Sequence, residues 1–459
     1  MENILRYSGP DIENRAREIL KLKDLAHPSG ALPVRVDQLW RAENFAAFVP
    51  YTGSFLLPLG RAPDMEMLQQ SITAVTARHE ALRSRLAMKD SAAVMLPERR
   101  GGEKLQRADA SRADMLAHRD SRPGSPLTEF FRAPINLLEQ TGFRCRAFRD
   151  EDGHVSLGVL MHHYFGDAWS SQIIRREIET VYAAHVRGAA VDLPAVAQYS
   201  DYALFQRQGL EKHLSRTLDY WHRKLIDAPP SQPPFDQRGD KVFLGRAHFL
   251  IEEALMQRLA AVAKTQRLSL AILCYAGFQI ALAKWCGTGE VVSAVQLADR
   301  IRPQFQGTVG YLLTAIAIHS RLPGDMPLRE FLAVLARDVY DGIGHQDLAF
   351  ELYDEIFAPL QPFCTPRFNF TPRQEGFFLG DNQGATPVIS GIQQASDIRK
   401  ISAYRDLQFL IIEYPQGLVG RAVYNKDLSF EKIAALIKIY QHVLEGFAAD
   451  PDATLGRFL

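Results

Sequence analysis

Residues Leu268–Ala283 carry no charge and are mostly apolar. A helix of that composition is hydrophobic around its whole circumference, so it has to be enclosed rather than laid on a surface. The run is shorter than the ~20 residues that a bilayer span needs, and it contains Ser269 and Gln279. It reads as a helix buried in a large core. The 459 residues supply such a core and correspond to roughly two or three domains. With 47% hydrophobic residues and 53 Lys+Arg against 53 Asp+Glu, the chain is not of the disordered class, which is poor in apolar residues and rich in net charge. It has no basic excess or long basic block, so a dedicated nucleic-acid binder is not expected. The amino terminus, Met1–Arg15, is acidic in places and has no apolar h-region, unlike a secretory signal. No membrane partner is expected. Cys145, Cys274, Cys286 and Cys364 are widely spread without CxxC or Cys/His spacing, so neither a disulfide framework nor a metal site is indicated. Cys274 and Cys286 read as buried thiols, and a cytoplasmic protein fits.

The pattern divides the chain into four parts. Residues 1–30 are a lead-in: Ile12, Ala16, Ile19 and Leu20 have helical spacing, and His27–Gly30 breaks it. This is either a docking segment or an extension packed on the body. Residues 31–185 form a first α/β lobe. In it Phe55–Leu59 reads as a strand, Asp64 caps a helix bearing Leu68, Ile72 and Val75, and His154–His163 is a strand buried on both faces. Ser170 is the expected N-cap of the next helix. Residues 186–240 connect the halves through an amphipathic helix near 199–225 and a Pro-rich linker at 228–234. Residues 241–459 form a second α/β lobe, with strands near 247–251, 291–297, 366–370, 407–413 and 418–424, and helices near 253–266, 269–285, 327–343 and 430–448.

The segment Met161–Ser170, MHHYFGDAWS, carries the chemistry. Two histidines end a buried strand, and Asp167 follows in a tight loop before a helix. Successive strand residues face opposite sides, so His162 and His163 do not serve one metal ion together. One imidazole can face a cleft and act as a base near neutral pH; the bland alternative is a buried, hydrogen-bonded histidine pair. There is no GxSxG nucleophile elbow, so the implied chemistry is direct attack by an activated acceptor. Asp167 either pairs with an arginine to fix the loop or orients a ring nitrogen.

The string resembles the HHxxxDG signature of condensation domains of nonribosomal peptide synthetases. Four further segments are similar to that family's motifs and come in its order. Arg78–Ser84 matches RHExLRT, and Tyr199–Phe205 matches YxDYAxW with Phe for Trp. Val309–Leu312 is similar to the start of IGxFVNT, with Thr314 where the family has Asn, and His345–Glu351 is similar to HQDxPFE with Ala for Pro. The strand at Arg367–Phe370, with Asn369, resembles the family's FNY-like strand. Together these cover about 35–459.

The resemblance implies two chloramphenicol-acetyltransferase-like lobes, an α+β architecture, forming a V around a substrate tunnel. It implies a carrier protein, acyl or peptidyl, that delivers a thioester on its phosphopantetheine arm, with no cofactor bound intrinsically. An amine or hydroxyl acceptor, small or carrier-bound, attacks that thioester. His163 is the catalytic residue, supported by His162 and Asp167; Arg78, Arg83 and Arg300 are the candidate partners of Asp167. Trp169, Ser170, Thr314 and Asn369 are tunnel candidates. Ala168 replaces the motif Gly, which keeps the backbone N–H but would be strained if the position needs φ > 0. The chain limits lead to the expectation of a free-standing monomeric enzyme acting in trans, in chain release or tailoring of a natural product. The competing readings are a CoA-dependent acyltransferase of the same fold, although the DFGWG segment of its plant relatives is absent, a non-catalytic recruitment module, and an epimerase relative.

Overall fold

The computed structural model describes residues 9–20, 52–89, 92–98, 104–117, 124–229, 231–236, 243–348, 356, 366–373, 391–399 and 407–459. The breaker at His27–Gly30, Cys364 and the motif positions Ala349–Glu351 lie outside the described residues.

In chain order the helices are α1 (Gly9–Leu20), α2 (Met65–Arg78), α3 (Arg112–Ala117), α4 (Pro126–Arg132), α5 (Ala168–Val186), α6 (Tyr199–Leu225), α7 (Glu253–Thr265), α8 (Leu270–Cys286), α9 (Leu328–Ile343) and α10 (Phe430–Ala449). The strands are β1 (Thr52–Arg61), β2 (Ser84–Lys89), β3 (Ala92–Pro97), β4 (Gln106–Asp109), β5 (Phe143–Arg149), β6 (His154–His162), β7 (Phe243–Glu252), β8 (Glu290–Ala298), β9 (Leu313–Arg321), β10 (Arg367–Thr371), β11 (Gln393–Arg399), β12 (Leu407–Tyr414) and β13 (Gly417–Asn425). A four-stranded sheet, β1-β6-β5-β4, and the β2-β3 hairpin come from the first half of the chain; a seven-stranded sheet, β11-β7-β13-β12-β10-β8-β9, comes from the second.

In the first lobe β6 is one of two inner strands, antiparallel to both β1 and β5. With neighbours on both edges and helices packed against it, β6 buries Leu157, Val159, Leu160 and Met161, as its near-continuous apolar run requires. Asp64 caps α2 by accepting the backbone N–H groups of Glu66 and Met67, each at 3.0 Å. Helix α2 packs on α5, and the buried Glu177 joins them, accepting from Arg78 Nε at 3.1 Å and pairing with His79 Nε2 at 2.7 Å. Burial acts to raise the Glu177 carboxyl pKa, but its bonds to His79 and Arg78 hold it below the usual carboxylate value.

In the second lobe α8 is the enclosed helix anticipated from its composition. Ile272 through Ala283 are all buried, and it packs on α10, α9 and α7. Fully burying a Leu or Ile side chain contributes about 1.5–3 kcal/mol, which is why this stretch tolerates no charge. Ser269 caps its start by accepting the Ile272 N–H, and Gly287, at φ 67°, closes its end in the left-handed conformation that glycine adopts without strain. Cys274 is buried, but Cys286, on the last turn, is only half-buried. Among the described residues no single helix is long and apolar enough to cross a membrane.

Strands β8 and β10 are parallel, yet they pair only at Arg367↔Ala294 and Phe368↔Val295, whereas β10 pairs β12 over all five of its residues. The carboxyl ends of β8 and β10 therefore part. Crevices at the carboxyl ends of strands are where open α/β sheets bind ligands, and β8 runs directly into Asp299 and Arg300.

Two expectations are refined. The lead-in helix α1 packs on α6, and Ile12 and Ala16 join the same buried core as Leu210 and Leu214. The Pro-rich segment is not a loose tether: the buried Ser231 hydroxyl donates to Val292 O at 2.7 Å and accepts from Val292 N at 2.9 Å, so it occupies a place beside β8.

Candidate active site

Strand β6 ends at His162, and the chain turns through His163–Gly166 into α5. The turn is tight because Gly166 lies against Met161; a Cβ there would come within 2.1 Å of the Met161 Cε. The two imidazoles have different work. His162 Nδ1 accepts the Tyr164 backbone N–H at 3.1 Å, which requires that nitrogen to be unprotonated. Burial, aided by the neighbouring His163 ring, pushes the His162 pKa down to about 3, so this ring stays neutral and structural. His163 Nδ1 lies 2.7 Å from the Gly166 carbonyl. A carbonyl oxygen only accepts, so Nδ1 carries the proton and, in the neutral ring, Nε2 carries the lone pair. That is the tautomer a general base needs. The two histidines thus differ: His162 Nδ1 accepts a backbone N–H, and His163 Nδ1 donates to a backbone carbonyl.

The depressed His162 value has a testable sign. The unfolded chain binds a proton at this position below its ordinary value near 6.5, and the folded chain does not. Stability should therefore fall as pH drops from about 6.5 towards 3. His162→Asn, whose side-chain oxygen can accept the Tyr164 N–H, should lose less stability than wild type between pH 7 and pH 5. Thermal denaturation at several pH values measures this, and an equal loss in both proteins would contradict it.

Asp167, not Ser170, is the N-cap of α5. Its Oδ1 accepts Ser170 N at 2.7 Å, and the helix begins at Ala168. Ala168 is helical and is not among the non-glycine residues with positive φ, so replacing the motif Gly costs no strain here. Asp167 is buried (2% exposed) and is paired with a guanidinium: Arg300 Nη2 donates to its two oxygens at 3.0 and 3.1 Å. Arg78 is instead committed to Glu177 and the Pro194 carbonyl, and Arg83 to the Glu98 carbonyl at 2.8 Å. Of the three candidate arginines only Arg300 reaches the site. Burial alone would raise the Asp167 carboxyl, but Arg300 and the donors Ser170 and Leu312 hold it below the ordinary carboxylate value.

This pair bridges the two lobes, and it is not isolated. Leu312 N donates to Asp167 Oδ2 at 3.1 Å. The fully buried Ser170 hydroxyl has Asp167 Oδ1 and Gly310 O both within 2.8 Å, and its oxygen accepts Gly310 N at 3.0 Å. Arg300 Nη1 donates to Phe305 O and Thr308 O, which folds residues 300–310 around the guanidinium. Gly310 lies against Tyr199, whose ring a Cβ would meet at 2.2 Å. The loop bearing the Val-Gly-Tyr-Leu motif is thereby fixed to the start of both α5 and α6. A second buried set lies alongside. Asp299 accepts from Tyr202 Oη at 2.6 Å, Gln346 Nε2 at 3.1 Å and Arg302 Nη1 at 3.3 Å, tying α6 to the end of β8 and to the His345–Leu348 segment.

The other site residues are distributed as follows. Trp169 is half-buried, donates Nε1–H to Gln306 O at 3.0 Å, and has the Arg300 guanidinium 5.6 Å over its ring. Ser170 is part of the lobe junction. Thr314 is 4% exposed with its hydroxyl given to Gln346 O at 3.1 Å; it pairs with Leu297 in the sheet and so shares the face that Leu297 packs on the core. Asn369 is half-buried on β10, paired with Leu410, at the point where β10 leaves β8. One residue that the sequence does not single out also meets the site. The Tyr311 ring packs edge-to-face on the His163 imidazole at a centroid distance of 5.3 Å.

A histidine-bearing turn in one α/β lobe is thus clamped by a buried Asp–Arg pair to a loop of a second α/β lobe. The chain belongs to the condensation-domain family, whose family model matches residues 38–458. It is similar to the bassianolide nonribosomal cyclodepsipeptide synthetase of Beauveria bassiana, with 27% identity over 423 residues, 89% of this chain and 13% of the relative. It is also similar to phosphinothricin tripeptide synthetase PhsC of Streptomyces viridochromogenes, with 27% identity over 425 residues, 88% of this chain and 38% of the relative. The chain thus spans a minor part of these relatives. Among solved structures, the X-domain from teicoplanin biosynthesis matches with a TM-score of 0.76 at 20% identity, covering 95% of this chain and 98% of that one. A structure titled for condensation domain-mediated chain release from the enacyloxin polyketide synthase matches with a TM-score of 0.74 at 19% identity, covering 96% and 88%. These likenesses establish the mixed α/β fold.

Proposed function

We propose that this condensation domain joins an acyl group, held as a thioester on the phosphopantetheine arm of a carrier protein, to an amine or hydroxyl acceptor, giving an amide or an ester. The carrier is supplied in trans, and the reaction releases or tailors a natural product in the cytoplasm. The observation that carries the reading is the His163 tautomer: with Nδ1–H given to Gly166 O, Nε2 is the atom that takes the acceptor's proton. As the acceptor nitrogen or oxygen bonds to the thioester carbon, its proton passes to Nε2. The C–S bond then breaks, and the departing sulfur takes that proton, leaving a thiol on the arm and a neutral imidazole.

The test is to offer the same acyl group as acyl-carrier and as acyl-CoA, with a panel of amines and alcohols. Product from the separate carrier, formed at least about tenfold faster than from acyl-CoA, is the expected result. Equal or faster transfer from acyl-CoA would replace this reading by a CoA-dependent acyltransferase. Carrier binding without product from any acceptor would replace it by a recruitment module.

A further inference from the structure

We propose that Tyr311 is a positioning residue through which the lobe-bridging Asp167–Arg300 pair acts on His163. The inference rests on the reading of His163 as the base. Asp167 makes no hydrogen bond to either histidine of the motif: its oxygens go to Ser170, Arg300 and Leu312. What it and its partner Ser170 hold are the two residues flanking Tyr311. Gly310 N–H donates to the Ser170 hydroxyl oxygen, whose one proton lies between Gly310 O and Asp167 Oδ1, and Leu312 N–H donates to Asp167. The residue between these fixed points is 5% exposed and sets its ring against the His163 imidazole at an interplanar angle of 70°.

The chemistry of the imidazole gives that contact its purpose. Rotating the ring by half a turn about its Cβ–Cγ bond puts Cδ2 where Nδ1 was and Cε1 where Nε2 was, and the proton-accepting Nε2 would leave the acceptor's side. The Gly166 hydrogen bond opposes this rotation. An aromatic ring packed edge-to-face opposes it a second time, since such pairs have a defined and favoured geometry. The ring belongs to the second lobe and the base to the first. The lobe junction and the base are thereby linked in one short chain: Arg300, Asp167 with Ser170, the 310–312 backbone, the Tyr311 ring, His163.

The test uses Tyr311→Leu, which keeps apolar bulk but not a planar ring, and Tyr311→Phe, which keeps the ring, with His163→Ala as control. Misplacement of a reacting group by about an ångström can cost on the order of 100-fold. Tyr311→Leu should therefore lower kcat by about 10- to 100-fold, leave KM for the acyl-carrier within about threefold, and keep the thermal midpoint near that of wild type. Tyr311→Phe should restore kcat to within about threefold. Nitrogen-15 spectra of histidine-labelled protein, with the His163 signals assigned by their loss in His163→Ala, should show the Nδ1–H form in wild type and Tyr311→Phe and a mixture of tautomers in Tyr311→Leu. Full activity with an unchanged tautomer in Tyr311→Leu would overturn the proposal, as would equal losses in the Leu and Phe variants. If His163→Ala itself stays active, the reading of the base fails; if only Tyr311→Leu stays active, the positioning role alone fails.

Discussion

Replacing His163 with alanine should lower the rate of acyl transfer by roughly 10²–10⁴-fold, the range that positioned proton transfer contributes. KM for the acyl-carrier should move little, because in the proposed mechanism the ring acts on the acceptor's proton and not on the carrier surface. The fold should survive. His163 is half-buried, and its Nδ1 bond is confined to its own turn, to the Gly166 carbonyl. Single-turnover kinetics separate the chemical step from binding, and a denaturation curve checks the fold. A variant as fast as wild type would remove His163 from the chemistry. A variant that loses activity only because it unfolds would leave the ring with a structural role.

The second large effect concerns stability. Arg300→Met strands a buried carboxylate, and Asp167→Asn strands a buried guanidinium while retaining a helix cap. Removing one partner of a buried pair costs about 3–5 kcal/mol, because the remaining charge is uncompensated. Each single variant should show a loss of that order in urea denaturation, and the double variant should lose less than the sum of the two. Acid should act on the same pair. The Asp167 carboxyl is held below its ordinary value, so its stabilisation is present above about pH 4 and is lost as pH falls through the folded value. Asp167→Asn should be correspondingly less sensitive to acid over that range. Losses under about 1 kcal/mol in both single variants, well short of the cost of an uncompensated buried charge, would mean that the lobe junction rests on other contacts.

Much of this fold is legible in the sequence, for physical reasons that differ from element to element. Helix α8 and strand β6 are enclosed on all sides, and their unbroken apolar runs admit few other structures. Helices α2, α6 and α10 show the 3.6-residue stripe of a half-buried helix. Strand β4 carries no such mark: among the described residues it pairs only with β5, and it is largely exposed, so no apolar pattern distinguishes it. The apolar strand β9 is masked differently, because its first residues overlap the motif around Thr314. Within the site, the motif locates His163 and Asp167, but no spacing rule selects Arg300 from three arginines. That choice is made by chain folding, which brings residue 300 to residue 167 while Glu177 and the Glu98 carbonyl take Arg78 and Arg83. Ser170 is of a preferred capping type, yet Asp167 three residues earlier takes the cap and leaves Ser170 to join the lobes. Tyr311 lies inside the Val309–Leu312 motif, but the motif does not mark its ring as a neighbour of His163, because that contact arises only across the junction.

The most direct test of the central claim is intact-mass spectrometry of an acyl-loaded carrier incubated with this protein and an acceptor panel. Loss of the acyl mass from the carrier should coincide with an acyl-amide or acyl-ester product for at least one acceptor, and both should depend on His163. A carrier that keeps its acyl group in the presence of every acceptor, or that loses it equally fast with His163→Ala, would contradict the account.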